Sequence, residues 1–210
     1  MQSMEPTAAD QPGRRRGRRT LVLVTALFML PVVLATVLFV TGWRPSGRSL
    51  QYGELLAPRP IGDAALSTVD GGTLRLSELH GRWALVVFDT LPCDDRCQAN
   101  LYSVQQVRLA QGRDARRVER LFIALAPSEE RLRTGLAGRY PGLRVLHGTA
   151  AAVSALARDF VTVDGTALDG LAHVYVVDPN GNLVMSYPPG ADPSGMRKDL
   201  ARLLRLSRIG

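Results

Sequence analysis

Cys93 and Cys97 are the only cysteines in this 210-residue chain, and they stand with three residues between them in the stretch 91–97, LPCDDRC. Thiols at i and i+4 lie on one face if the turn is helical. Such a pair can exchange electrons with a partner's thiols, close a disulfide of its own, or clamp a soft metal such as Cu(I) as two thiolates. A purely structural staple explains the pair less well, because closing so short a loop removes little chain entropy. The residues around the pair suggest how it is held. Residues 81–90, GRWALVVFDT, contain a continuous apolar run of strand length, and in 94–111 Leu101, Val104, Val107 and Leu109 or Ala110 recur at roughly helical spacing. A strand buried on both faces followed by a helix is therefore predicted, with the cysteines at the helix start. There, unpaired N–H groups and the positive end of the dipole favour a thiolate. Asp94 and Asp95 suit the same dipole, and with Asp89 they are also candidate oxygen ligands.

The chain has three histidines. His173 opens the run HVYVVD (173–178) and is the candidate third metal ligand. His147 ends LRVLHG and His80 precedes Gly81, so they read as a strand-end and a turn residue. No Ser/His/Asp arrangement, phosphate loop or zinc spacing is recognisable. Two cysteines and scattered histidines do not make a four-ligand zinc site.

Around this centre the pattern alternates. ALSTVDGGTLRLSEL predicts two short strands about an Asp-Gly-Gly turn, and VERLFIALA (118–126) a second buried strand. A helix is expected to open at Pro127–Ser128–Glu129–Glu130. LRVLHG then predicts a strand, TAAAVSALARDF a helix, and HVYVVD turns at DPNG into NLVMSY. DPSGMRKDLARLLRLS closes the chain as an amphipathic helix. Strands alternating with helices, with hairpins at each end, imply an α/β domain with a mixed sheet. Arg108, Arg113, Arg116, Arg117 and Arg120 cluster at a predicted helix end and offer a docking surface for an acidic partner.

Residues 21–41, LVLVTALFMLPVVLATVLFVT, carry no charge. At ~1.5 Å per residue they cross a ~30 Å hydrocarbon core, and Pro31 is expected to kink the span. Arg14, Arg15, Arg16, Arg18 and Arg19 precede it, which places the N-terminus in the cytoplasm. Net charge is +7, but residues 1–19 hold five of the 26 basic and two of the 19 acidic residues, leaving +4 for the rest. The densest basic run thus lies outside the folded part, and no nucleic-acid partner is expected. A single lysine, Lys198, beside 25 arginines, with abundant Ala, Leu and Gly, suggests a bacterial source and hence a periplasmic domain behind an inner-membrane anchor. A small-residue cleavage site ending at Ala35 is the competing reading, but the apolar run continues past it. The division is a basic cytoplasmic tail (1–19), a membrane anchor (20–43), a Pro/Gly-rich tether (44–60) and the folded domain (61–210).

A strand, a Cys-x3-Cys pair at a helix start and a DPNG hairpin behind one membrane anchor resemble the Sco/SenC family. That resemblance implies a thioredoxin-like fold over about residues 61–206. It also implies a part in cytochrome c oxidase assembly, by supplying copper to the copper site of subunit II or by reducing its thiols. Subunit II, or another oxidase assembly factor, would be the partner. Copper would be held by Cys93 and Cys97, with His173 or an outside ligand completing the site. The family's pair is usually C-P-D-x-C-P; here the cysteines and Asp95 match and the two prolines do not. Aligning on YVVDPNG puts Gly170 where the family has its copper histidine, three residues before His173, an odd shift that moves a side chain to the opposite face of a strand. The expectation is an assembly factor rather than an enzyme. Two alternatives stand beside it: a metal-free thiol–disulfide oxidoreductase and a degenerate, non-catalytic interaction module.

Overall fold

Strand β4, Trp83–Asp89, is buried along its whole length in the computed structural model, which describes residues 13–41, 51–125, 136, 138–161 and 173–207. Its unbroken apolar run can exist only with both faces covered and a strand on each side. The structure supplies both. The sheet has eight strands in the order β1-β8-β7-β4-β5-β6-β2-β3. They are β1 (Glu54–Pro60), β2 (Ala65–Thr68), β3 (Thr73–Arg75), β4, β5 (Val118–Ala124), β6 (Leu143–His147), β7 (Val174–Val177) and β8 (Asn182–Tyr187). Strands β4, β5 and β6 are parallel, and the remaining pairings are antiparallel. The mixed α/β sheet read from the alternating pattern is thus the architecture found, and both expected hairpins, β2–β3 and β7–β8, are present.

Alternate side chains of the sheet feed two separate cores. One holds Leu85, Val87, Phe122, Val174 and Val176 under helices α2 (Asp95–Leu109) and α4 (Pro193–Leu206). Leu101, Val104 and Val107 of α2 point into it, while Leu109 stays in solvent. The other holds Val86, Phe88, Leu121, Ile123 and Tyr175 under helix α3 (Ala150–Ala157), Phe160 and the 3-10 turn Leu76–Leu79. Helices α2 and α4 contribute 15 and 14 residues of cover, while α3 contributes eight.

Edge strand β1 corrects the reading of 44–60 as a tether. Glu54–Pro60 pair with β8, and the folded unit begins at Leu50. Pro58 and Pro60 made this stretch look like linker, but an edge strand tolerates residues that cannot donate to a ladder. Only Leu56 of the seven residues is buried, so no alternation was legible. A clamp then fixes the start of this strand. Fully buried Asp199 of α4 accepts hydrogen bonds from the Tyr52 and Gly53 N–H groups (2.7 and 2.9 Å) and from the Tyr187 hydroxyl (3.2 Å). A Cβ at Gly53 would lie 2.5 Å from the Tyr187 ring, and one at Gly195 2.5 Å from the Tyr52 ring.

Helix α1 runs Gly13–Val40 through Pro31 without interruption, so the arginines expected in a separate tail lie on the helix. Its apolar stretch Thr20–Leu38 has 19 residues, ~28 Å of helix, and fits a single-pass membrane anchor. The helix expected from Pro127, the loop 162–172 and residues 42–50 fall outside the described residues.

Candidate redox site

The chain leaves β4 at Asp89, passes Thr90 and a cis Leu91–Pro92 peptide, and enters α2. Asp94 starts that helix. Its backbone is extended and its carboxylate accepts from the Cys97 N–H at 2.9 Å, an N-cap of the kind short polar side chains provide. This hydrogen bond, with help from Arg96, holds the Asp94 carboxyl below the usual carboxylate range. The position to which the Sco resemblance assigns a proline is therefore the residue that caps the helix.

Cys93 and Cys97 are joined in a disulfide across 5.3 Å between Cα atoms. The two sulfurs are not equivalent. Cys97 lies on the buried side of α2 with Leu101 and is fully buried, while Cys93 packs against the same core from outside and is half-buried. The Cys93 carbonyl accepts from the Gln98 side-chain amide, and the Gln98 side-chain oxygen accepts from Arg139 at 2.8 Å. The Tyr140 hydroxyl donates to the Gln98 carbonyl. Sequence reasoning missed Gln98 and Tyr140, because their link spans 42 residues and follows no period.

Asp89 is buried at the last position of β4, on the face it shares with Leu85 and Val87 and hence toward the layer that holds both cysteines. Its carboxylate takes one described hydrogen bond, from the Thr90 N–H at 2.7 Å. Burial pushes its pKa above the ordinary 3.8 and Asp94 adds to the rise, against the pull of the Thr90 N–H and Arg96.

His173 is placed elsewhere. Its ring stacks on Tyr175 with centroids 6.0 Å apart, and Tyr175 packs edge-on against Phe88 and Phe160 in the other core. Among the described residues no three His, Cys, Asp or Glu side chains converge as a metal site. The donors brought together are two sulfurs, and both are used in the disulfide. This donor set does not fit a copper ion as it stands. His147 ends β6, two strands across the sheet from Asp89, and His80 closes the 3-10 turn before the start of β4, at the opposite end from the cysteines.

The arginine cluster is largely structural. The Arg108 Nε–H donates to the Val118 carbonyl, and Arg117 donates to the Leu204 and Ser207 carbonyls at the end of α4. Arg120 is buried and donates to the Pro141 carbonyl. Burial, foremost, and Arg108 lower its pKa. Only Arg113 and Arg116 of the five are left exposed.

Comparison with known proteins agrees with this fold. Residues 83–207 match the family model described as transmembrane-like, thioredoxin-like, C-terminal domain. The chain belongs to this family. No curated protein matches the chain. Among solved structures, this thioredoxin-like domain is similar to ScoI of Bradyrhizobium japonicum with copper bound: 25% identity over 69% of this chain and 99% of that one, TM-score 0.56. Yeast Sco1 with copper bound shares the fold at 18% identity, 72% and 96% coverage and TM-score 0.61. So does the thioredoxin domain of a thiol-disulfide oxidoreductase from Bacteroides vulgatus, at 15% identity, 71% and 99% coverage and TM-score 0.55. The structural neighbours of this family member thus include the Sco/SenC proteins to which its sequence pointed.

Proposed function

We propose that this chain is a membrane-anchored thiol–disulfide exchange protein of the Sco type, acting in respiratory oxidase assembly on the copper-site thiols of cytochrome c oxidase subunit II. The observation that carries this reading is the Cys93–Cys97 disulfide at a helix start, with one sulfur reachable and the other buried. In the reducing direction, the Cys93 thiolate attacks one sulfur of a client disulfide, and the other client sulfur leaves with the electron pair and takes a proton from water. The Cys97 thiolate then attacks Cys93 Sγ. The second client sulfur leaves as a thiolate, and the pair closes to the disulfide seen here. Two electrons pass to the client, and reduction of Cys93–Cys97 by an outside dithiol resets the cycle. The basic N-terminus would lie in the bacterial cytoplasm and the domain in the periplasm, where such exchange has substrates.

Replacing Cys97 tests the order of attack. The full-length Cys97→Ala chain is expected to trap client as a stable mixed disulfide on Cys93, while Cys93→Ala traps little. Equal trapping by both variants would reverse the assignment, and trapping by neither would remove exchange as the function. Loss-of-function tests in which both cysteines are dispensable would favour the interaction module instead.

Copper carriage is a second reading, favoured by the copper-bound ScoI relative. The reduced thiolates of Cys93 and Cys97 would hold the ion as cargo, with an outside ligand, or His173 once released from its stack on Tyr175, completing the site. An anaerobic Cu(I) titration of the reduced chain, weakened by His173→Ala, would support it. Titration with no uptake would end it.

A further inference from the structure

At the end of β4 opposite the cysteines, the described residues leave the sheet face under α3 open. A cavity of about 180 Å³ lies there. Its floor is apolar: Ala84, Val86, Leu121, Ile123 and Val177, with Phe160 as a wall. Its rim is polar and comes from Asp63, Ser77, His80, Arg82, Asp178 and Asn180. The opening is a consequence of the uneven cover. An eight-residue helix reaches only ~12 Å, and the 3-10 turn that takes over is short.

Size and charge narrow what can enter. An apolar cavity of ~150 Å³ takes a benzene ring, so this one takes a ring with a short arm. Along the rim, Arg82 is ion-paired with Glu119, and Asp63 with Arg75 at 3.1 Å. Asp178 accepts from the Asn180 N–H (2.9 Å), the Asn182 N–H (2.8 Å) and the Asn182 side-chain amide (3.0 Å). Among the described residues no cation pairs with it. The rim therefore presents one carboxylate whose charge is not matched, beside the acceptor atoms of Ser77 and Asn180. Gly181 keeps the entrance in shape. Its φ of +81° suits glycine, and a Cβ there would lie 2.6 Å from His80 Nε2.

We infer that this cavity is a binding site for a small free aryl-alkyl amine, its ring on the Ala84–Val86–Ile123 floor and its protonated amino group at Asp178. The site stands at the other end of the sheet from Cys93 and Cys97, so the inference does not rest on the redox reading.

The test is methyl NMR of the full-length chain in lipid nanodiscs, titrated with 2-phenylethylamine, 2-phenylethanol and phenylacetate. For nine non-hydrogen atoms at the weak end of ligand efficiency, the amine should saturate with a Kd of about 10 mM or tighter. The shifts should be confined to the methyls that line the cavity, those of Val86, Leu121, Ile123 and Val177 among them. Asp178→Asn should weaken the amine about five-fold, as for a partly exposed ion pair, and leave the alcohol unchanged. Ala84→Leu fills the floor and Ile61→Trp, at a residue that also lines the cavity, blocks the entrance, and either should abolish binding while the Cys93–Cys97 pair keeps its exchange rate. If one of them fails to fold, the other still decides. Absence of shifts, binding that survives in the folded filled variants, or phenylacetate bound as tightly as the amine would overturn the proposal.

Discussion

Strand β4 has two unlike ends. Past Asp89 it enters the cysteine loop under α2 and α4, whose buried side chains fill the space down to Cys97. At Ala84 and Val86 the other face of the same strand floors an open cavity. Apart from Asp89 the strand is apolar throughout, so the difference lies in what covers it. Two long helices close one face, and among the described residues a short helix with a 3-10 turn leaves part of the other uncovered. Packing that holds a reactive pair in place and space that admits a ligand are thus built on one strand by unequal cover.

The sharpest way to break this comparison is to cut into each face. Leu101→Ala, under the disulfide, should cost about 3–5 kcal/mol by denaturant unfolding, since a fully buried leucine leaves a cavity behind. Ala84→Leu, on the open face, should change stability by less than about 1 kcal/mol, because the added methyls enter existing space. Equal costs would mean the two faces are packed alike.

Asp199→Ala should follow at about 2–4 kcal/mol. It strips partners from two backbone N–H groups and the Tyr187 hydroxyl, all of them buried or partly so. Burial, foremost, and the Asp199 charge hold the Tyr187 pKa far above its ordinary value, so the hydroxyl remains a donor through the alkaline range. The same substitution should release the start of β1, seen as faster amide exchange at Leu55 and Leu56 than in Leu101→Ala.

Reducing the disulfide should cost less, about 2 kcal/mol, as expected for closing a loop this short. A much larger loss would make Cys93–Cys97 a structural staple.

The smallest effect concerns Asp89. A carboxyl whose folded pKa is raised binds more protons in the folded state than in the unfolded one. Its presence therefore lowers stability as pH climbs from the ordinary 3.8 through the raised value. Asp89→Asn should flatten that part of the stability–pH curve and leave the variant relatively more stable at pH 7. An unchanged slope would show that Asp89 is better compensated than its single described N–H donor suggests.

Much of the cysteine end was legible in the sequence because its signals are local. The run Trp83–Asp89, the acids Asp94 and Asp95 at the helix start and the spacing of Leu101, Val104 and Val107 all lie within 25 residues of Cys93, although the capping role of Asp94 appears only in the structure. Strand β1 was not legible, since its two prolines and exposed side chains mimic a tether. Nor was the Asp199 clamp, whose partners are 146 and 147 residues away. The five-arginine cluster looked like a docking face because charge was visible and the carbonyls that use it were not. For His173 the strand was readable, but the face it occupies depends on register with β4, and Val87 opposite Val174 sets that pairing.

The most direct test is the reduction potential of Cys93–Cys97, measured in the full-length chain against glutathione and dithiothreitol buffers. An exchange pair should titrate above about −300 mV, within reach of a cellular thiol, and Cys93 should be the sulfur alkylated first on reduction. A potential well below −300 mV, with both sulfurs protected from alkylation until the chain unfolds, would contradict exchange and leave the pair as a staple.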